Sequence, residues 1–484
     1  MSDLRSIDSF GDIAAEDDAV LDYFLTTSAV DEVLSGKKLL VLGRKGSGKT
    51  ALVKHFTQSA GKEHGSPLSL RNYPWGAHAE LVDKGASDTE AYVASWRLLI
   101  AIRIASLVCE IGAAVYTDSL NGLKTFLTDN FATINPDTRS IITQGKLKVS
   151  GLTIAPQVAG FSLGSINFGT KKDVLGLELN SLTNSILKDS TTAIAELGIE
   201  KLYLHFDELD QGLDKIDDTK ARMLIGLILA AREIGRSDEL RANICPVVYL
   251  RTDIWEQISF SDKNKITRSA SVVLNWDEKT LLDLVESRIE VKTRSEKRWV
   301  DLVDSQKMRG SQPKFLHIVA RTFMRPRDII QFLNEALDKA KKRDAEPLIF
   351  INDDVNNARE GYSSYLKDEL DDEIQPHWSL WSDALSACSM TETITFKKEE
   401  FVKNYRKTRS KENLLDPEKA LETLFRFSVI GYERRISGGG SGWTFRYLDP
   451  SAAWDPGAPR FKVHQGLKEF AKLKEERASA LGEE

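Results

Sequence analysis

Eight consecutive residues, Gly43-Arg44-Lys45-Gly46-Ser47-Gly48-Lys49-Thr50, fit the spacing GxxxxGK[ST] in full. Glycines at the first, fourth and sixth positions let the backbone wrap a polyphosphate closely, with its N–H groups turned toward phosphate oxygens. Lys49 brings an ammonium for the β- and γ-phosphates, and the Thr50 hydroxyl can ligate Mg²⁺. The apolar run Lys38–Leu42 predicts a strand before the loop, and Ala51–Phe56 predicts a helix after it. The positive end of such a helix favours the same anion. ATP with Mg²⁺ is the ligand this pattern implies.

Hydrolysis needs a second carboxylate set. Lys201–Phe206 has the composition of a buried strand and ends in Asp207-Glu208-Leu209-Asp210. Carboxylates at the C-terminal end of a strand stand where doubly wound sheets bind their ligands. Asp207 is the candidate metal holder, and Glu208 the candidate base that polarises the attacking water. Asp210 is not glycine, and Asn264-Lys265-Ile266-Thr267 lacks the aspartate of a guanine-reading loop, so ATP is favoured over GTP. The next strand, Pro246–Leu250, leads into Arg251-Thr252-Asp253, and it should lie between the acidic strand and the P-loop strand. Its polar tip can read a γ-phosphate, with Arg251, Thr252 and Asp253 as the candidates; Arg251 and Asp253 equally fit a local ion pair. Arg325 and Arg327 open the last long helix of a helical segment around Pro326, which suits a first helical turn. They are candidate sensors of the same phosphate, or a pair that caps its own domain. Arg268 is a weaker candidate for reaching a neighbouring subunit.

The segments AAEDDAVLDYFLTTSAV, GRKGSGKTAL, FDELD, LRTDIWEQI, KNKITRSASVVLNW and MRPRDIIQFLNEAL follow one another in that order. Together they resemble a group of bacterial P-loop ATPases related to the STAND and KAP branches of the AAA-like ATPases. Members are often associated with anti-phage defence and signalling. The P-loop alone is generic; FDELD, LRTDI and RPRDI at these spacings are more particular. The resemblance runs from about Phe10 into the C-terminal region. It implies an ATPase module with a helical lid and a C-terminal winged helix, and it leaves open what the protein acts on.

The elements that must position these residues form an expected α/β architecture. It comprises a P-loop NTPase core, with a parallel sheet flanked by helices, an inserted helical and β segment, a helical lid and a winged-helix domain. The divisions fall at 1–280 for the core, with an insertion at about 85–185, then 281–350 and 351–484. Within the insertion, Thr89–Val115 has helical apolar spacing, and its most apolar part, Trp96–Val108, is interrupted by Arg97 and Arg103 and is too short to span a bilayer. Lys146–Asn167, rich in Gly, Ser and β-formers, reads as a hairpin or flap, and Asp214–Gly235 as a helix. In the C-terminal domain, helices are expected at Trp378–Cys388, Lys398–Arg406 and Pro417–Phe427, with a hairpin over Ile430–Tyr447.

The basic cluster Lys397, Lys398, Lys403, Arg406, Lys407, Arg409 and Lys411 makes nucleic acid a possible partner. Glu418 and Glu422 on the helix that would enter a groove argue for a protein-interaction role instead. A net charge of −6 excludes wholesale coating of nucleic acid or anionic membrane. Cys109, Cys245 and Cys388 are widely spaced, which suits reduced side chains in a cytoplasmic protein without a membrane. The seven histidines show no metal-ligand spacing.

The expectation is an ATP-hydrolysing switch or motor subunit that self-associates or controls an effector, in a defence setting. A replication-initiator-like DNA-binding ATPase and an ATP-gated scaffold with little turnover are the alternatives.

Overall fold

The computed structural model describes residues 3–58, 64–71, 73–83, 89–144, 146–153, 165–167, 172–209, 216–436 and 440–475. Two compact units divide the chain. One comprises Thr26–Arg44 and Gly48–Asn275; the other comprises Met1–Leu25, Lys45–Ser47 and Trp276–Glu484.

The first unit is built on a five-stranded sheet. Its strands are β1 (Leu40–Gly43), β2 (His64–Ser69), β5 (Leu202–Asp207), β6 (Ile244–Arg251) and β7 (Ser271–Val273), in the order β2-β5-β6-β1-β7. Every pairing is parallel. β5 is buried at all six positions and β6 at all but its last, as a parallel sheet covered on both faces requires. The strand order puts β6 between the acidic strand and the P-loop strand, as its sequence position led us to expect.

Parallel neighbours need a crossover, and the one joining β2 to β5 is long. It holds helices Thr89–Ile111, Asp118–Phe131 and Lys172–Glu196 and a small antiparallel pair, β3 (Lys146–Lys148) with β4 (Ser165–Asn167). The expected hairpin is therefore present, although most of its connection lies outside the described residues. Helix Thr89–Ile111 is longer than the apolar core read from the sequence and is long and apolar enough to cross a membrane; 67% of that apolar window is nevertheless buried within the protein. It packs on Lys172–Glu196 and on Asp218–Arg236. Arg103 is absorbed by Asn135 Oδ1 at 2.7 Å and the Pro136 carbonyl at 3.0 Å. Asp217 caps helix Asp218–Arg236 by accepting from the Lys220 N–H at 2.8 Å.

The second unit begins with helices Glu278–Thr293, Lys314–Val319, Pro326–Ala340 and Asn352–Ile374. Leu4, Ile7 and Phe10 from the N-terminal segment complete the same core. Arg288 anchors that segment, donating to the Phe10 carbonyl at 2.6 Å and pairing with Asp18 at 3.0 Å. Next come helix Ser382–Ser389, β8 (Thr395–Phe396), helices Lys398–Thr408 and Pro417–Arg426, then β9 (Ile430–Ile436), β10 (Gly440–Thr444) and β11 (Phe461–Val463). The sheet runs β10-β9-β11-β8, all antiparallel. After Asn352–Ile374, three α-helices and four antiparallel strands are described in this part of the chain. The first of its helices starts at Ser382, four residues later than its sequence pattern suggested.

Candidate functional site

Side-chain alternation along β5 sorts its residues between the two faces of the sheet. Leu204 and Phe206 share one face, where Phe206 meets Trp96 edge-on at 6.2 Å. Tyr203, His205 and Asp207 share the other, where Phe56 of helix Lys49–Gln58 stacks on Tyr203 and His205 at 6.2 and 5.3 Å. Strand period alone therefore puts Asp207 on the face covered by the P-loop helix. The Asp207 side is desolvated: burial first, and then the Asp207 charge, hold the Tyr249 hydroxyl well above its ordinary pKa.

Glu208 leaves the strand with φ +58°. A left-handed glutamate is uncommon and carries strain, and such strain gathers at functional sites. Ser69, at the end of β2 opposite Asp207, donates its hydroxyl to the Glu208 carboxylate. Sequence reading did not single out Ser69, because its relevance rests on β2 pairing with β5 across a long crossover.

At the loop itself, Gly46 (φ +76°) and Gly48 (φ +100°) hold backbone angles that L side chains rarely adopt. Lys49 Nζ donates to the Gly43 and Arg44 carbonyls at 3.1 and 3.2 Å, folded back over the loop. Ser47 Oγ is buried with no hydrogen-bond partner. Left-handed glycines, a lysine curled over the loop, an orphan hydroxyl and the N-terminus of a ten-residue helix suit a bound polyphosphate. Thr50, in the first turn of that helix, and Asp207 supply the oxygen donors a magnesium ion takes.

Arg251 ends β6 in register with Gly43 of β1. Its guanidinium grips Asp253 with two bonds, at 3.0 and 2.8 Å. The neighbouring Thr252 hydroxyl is buried without a partner. The ion-pair reading of Arg251 thus has direct geometry behind it, and Thr252 offers the uncommitted polar atom at this strand end.

In the second unit, Lys45 Nζ lies 2.6 Å from Asp372 and 3.5 Å from Glu369. Trp276 Nε1 donates to the Ser47 carbonyl at 2.9 Å, and the Arg327 N–H approaches the Gly46 carbonyl at 3.5 Å. Arg325 is buried and donates twice to Asp328, at 3.0 Å each, to Glu373 at 2.6 Å and to the Lys45 carbonyl at 2.8 Å. Burial by itself would lower its pKa, but Asp328 and Glu373 outweigh burial and hold it well above the ordinary value. Reading a phosphate would require Arg325 to leave two buried carboxylates, which disfavours the sensor role given to it. Arg327 donates to Glu369 at 3.1 Å and to the Ile13 carbonyl at 3.0 Å. Arg268 is exposed, on helix Lys263–Ser269 rather than in a loop. Trp276, Glu369 and Asp372 were not foreseen; they lie more than 200 residues from the loop they touch.

Of the basic cluster, Lys397, Lys403, Arg406, Lys407, Arg409 and Lys411 are exposed. Lys398 is half-buried and pairs with Glu418.

The parallel sheet, the glycine loop joining β1 to its helix and the acidic end of β5 define a P-loop ATPase fold. Residues 279–371 match the family described as the FunZ-associated C-terminal helical domain. The chain is 24% identical over 383 residues to an 80.3 kDa protein assigned to transposon gamma-delta in Escherichia coli strain K12. That alignment covers 76% of this chain and 51% of the other, so the chain spans about half the length of the curated relative it matches. Among solved structures, it is similar to a Walker-type ATPase of Pyrococcus abyssi, with a TM-score of 0.38, 14% identity and coverage of 92% of this chain and 93% of that one. It is also similar to the ORC2 protein of Aeropyrum pernix, with a TM-score of 0.40, 13% identity and coverage of 92% and 89%.

Proposed function

We propose that this chain binds Mg·ATP at Gly43–Thr50 and hydrolyses it, with Asp207 and Glu208 as the acidic pair. The carrying observation is the left-handed Glu208, held by the Ser69 hydroxyl beside a buried Asp207. Lys49 would exchange its two loop carbonyls for phosphate oxygens, a charge-assisted replacement for neutral bonds. Thr50 and Asp207 would hold the magnesium, which when bound neutralises charge on the phosphates. Glu208 would orient water for attack and take up its proton. We give the γ-phosphate contact on β6 to Thr252, whose hydroxyl is the buried atom without a partner. Arg251 would shape that strand end through Asp253.

The setting is a proposal of a coarser kind. A connection with mobile DNA is supported by the transposon assignment of the Escherichia coli relative. Control of an effector in anti-phage defence, self-association and a cytoplasmic location rest on the sequence reading alone. The division into core, helical lid and winged helix at about 280 and 350 is likewise our reading. A second function, DNA binding through residues 397–411, is favoured by their exposure on and beside one helix. It predicts an affinity that falls steeply with salt.

Glu208→Gln tests hydrolysis. It should keep Mg·ATP affinity and slow steady-state phosphate release by about two orders of magnitude or more. Turnover at the wild-type rate would remove Glu208 from the chemistry.

A further inference from the structure

A cavity of about 830 Å³ lies in the second unit, where Lys314–Val319 and Asn352–Ile374 meet strands β10 and β11. Among its described lining residues, Arg309, Arg321, Arg359, Lys462 and Lys468 outnumber two carboxylates, Glu278 and Glu475. Glu475 is already shared by Lys468 at 3.0 Å and Arg309 at 3.4 Å. Arg321 is only 5% exposed, donates to the His317 carbonyl at 2.8 Å and leaves its Nε without a partner. Among the described residues no carboxylate pairs with it. The nearest help for Arg359 is Glu469 at 4.0 Å, and its Nε too is buried and unpartnered.

His317 fixes the geometry of this pair. Its Nε2 lies 2.5 Å from an Arg359 nitrogen, which can only donate, and its Nδ1 lies 3.2 Å from Gln312 Oε1. The ring is therefore neutral, with its proton on Nδ1. Burial, followed by Arg321 and Arg359, pushes the His317 pKa down to about 3. Burial and then Arg359 bring Arg321 down to about 10. A buried and a half-buried arginine side by side, with Glu469 and Glu475 no nearer than a loose contact, are incompletely compensated, and an anion seated between them reduces that cost.

Another part of the wall is aromatic: Trp443, Phe445 and Tyr447 line it, with Lys462 over the Trp443 ring at 5.4 Å from the centroid. A cavity of this volume suits a single small ligand. We infer that it is a second ligand site, taking a ring-bearing phosphate ester of mononucleotide size. Its phosphate is set between Arg321 and Arg359, and its ring lies against the Trp443 side. Nothing in this inference depends on the P-loop.

The test uses the full chain carrying Lys49→Ala, so that the P-loop does not contribute. Adenosine monophosphate and inorganic phosphate are titrated separately by calorimetry. We expect the nucleotide to bind at one site, at least about tenfold more tightly than phosphate, because ring stacking adds to the phosphate contacts. Arg321→Gln, checked for folding by circular dichroism, should weaken both ligands by about tenfold or more. Lys462→Ala, at the half-buried lysine over Trp443, should also weaken both and keeps the inference testable if Arg321→Gln does not fold. Trp443→Leu should weaken the nucleotide and spare phosphate. No binding of either probe at millimolar concentration, or binding untouched by the cavity variants, would overturn the inference. Displacement of the nucleotide by a single-stranded oligonucleotide at lower concentration would overturn the small-ligand form and reassign the cavity to nucleic acid.

Discussion

Arg321 and Arg325 stand four residues apart, both almost fully buried, yet they sit in opposite electrostatic surroundings. Arg325 is closed in by Asp328, Glu373 and a carbonyl, and every donating nitrogen is used. Arg321 has one carbonyl, an unpartnered Nε and a neighbouring arginine, with Glu469 and Glu475 acting on it only from beyond ion-pair distance. A buried charge with matched carboxylates holds structure together, whereas one without them is poised for a ligand. From sequence, Arg325 and Arg327 flank Pro326 at a helix start and are candidate phosphate sensors or a pair that caps its own domain. Compensation by Glu373, 48 residues away, cannot be read from that local pattern.

The largest effect should come from breaking the compensated member. Arg325→Ala leaves Asp328 and Glu373 buried and unpaired, and should cost about 3–5 kcal/mol by urea denaturation. A loss under about 1 kcal/mol would show that the network contributes little and would undo the comparison.

Acid should separate the two surroundings next. His78 and His205 in the first unit and His317 in the second are each held neutral, at about 3, with burial the largest cause. Their folded pKa values lie below the ordinary 6.5, so the unfolded chain binds the extra protons. Their stabilising contribution is complete above pH 6.5 and shrinks as pH falls toward 3. By pH 5 each should have lost about 2 kcal/mol. Thermal unfolding followed from pH 8 to pH 5 checks this, and a midpoint independent of pH would contradict it. Arg321→Gln removes one cause of the His317 shift, so that variant should lose less stability on acidification than the parent.

Arg321→Gln at pH 8 should show the smallest change, within about 1 kcal/mol of the parent, because the lost carbonyl bond is offset by relief of an uncompensated charge. A loss as large as that of Arg325→Ala would mean that the two arginines are alike.

These contrasts also mark how far the sequence could be read. The loop, the strand ending in Asp207-Glu208 and the place of β6 between them were legible, because each follows from local spacing and the rules of parallel sheets. In the second unit the helix at Pro326 and those at Lys398–Thr408 and Pro417–Arg426 were legible, whereas Asn352–Ile374, which ends in the acidic run Asp368–Glu373, was not. Contacts made by distant residues were not. Ser69 reaches Glu208 from 139 positions away, and Asp372 reaches Lys45 from 327. Among Arg251, Thr252 and Asp253 the sequence offered three polar side chains at one strand tip, and only the bidentate pairing of the first with the third leaves the middle hydroxyl standing out.

Calorimetric titration of a non-hydrolysable ATP analogue with Mg²⁺ tests the central claim most directly. The Arg321→Gln protein is compared with the same protein carrying Lys49→Ala, so that the proposed cavity site is weakened in both. Binding near one analogue per chain that becomes about a hundredfold weaker, or is lost, with Lys49→Ala is the predicted result, since the loop gives up its phosphate-facing ammonium. Equal affinity in the two proteins would contradict the assignment of Gly43–Thr50 as the ATP site.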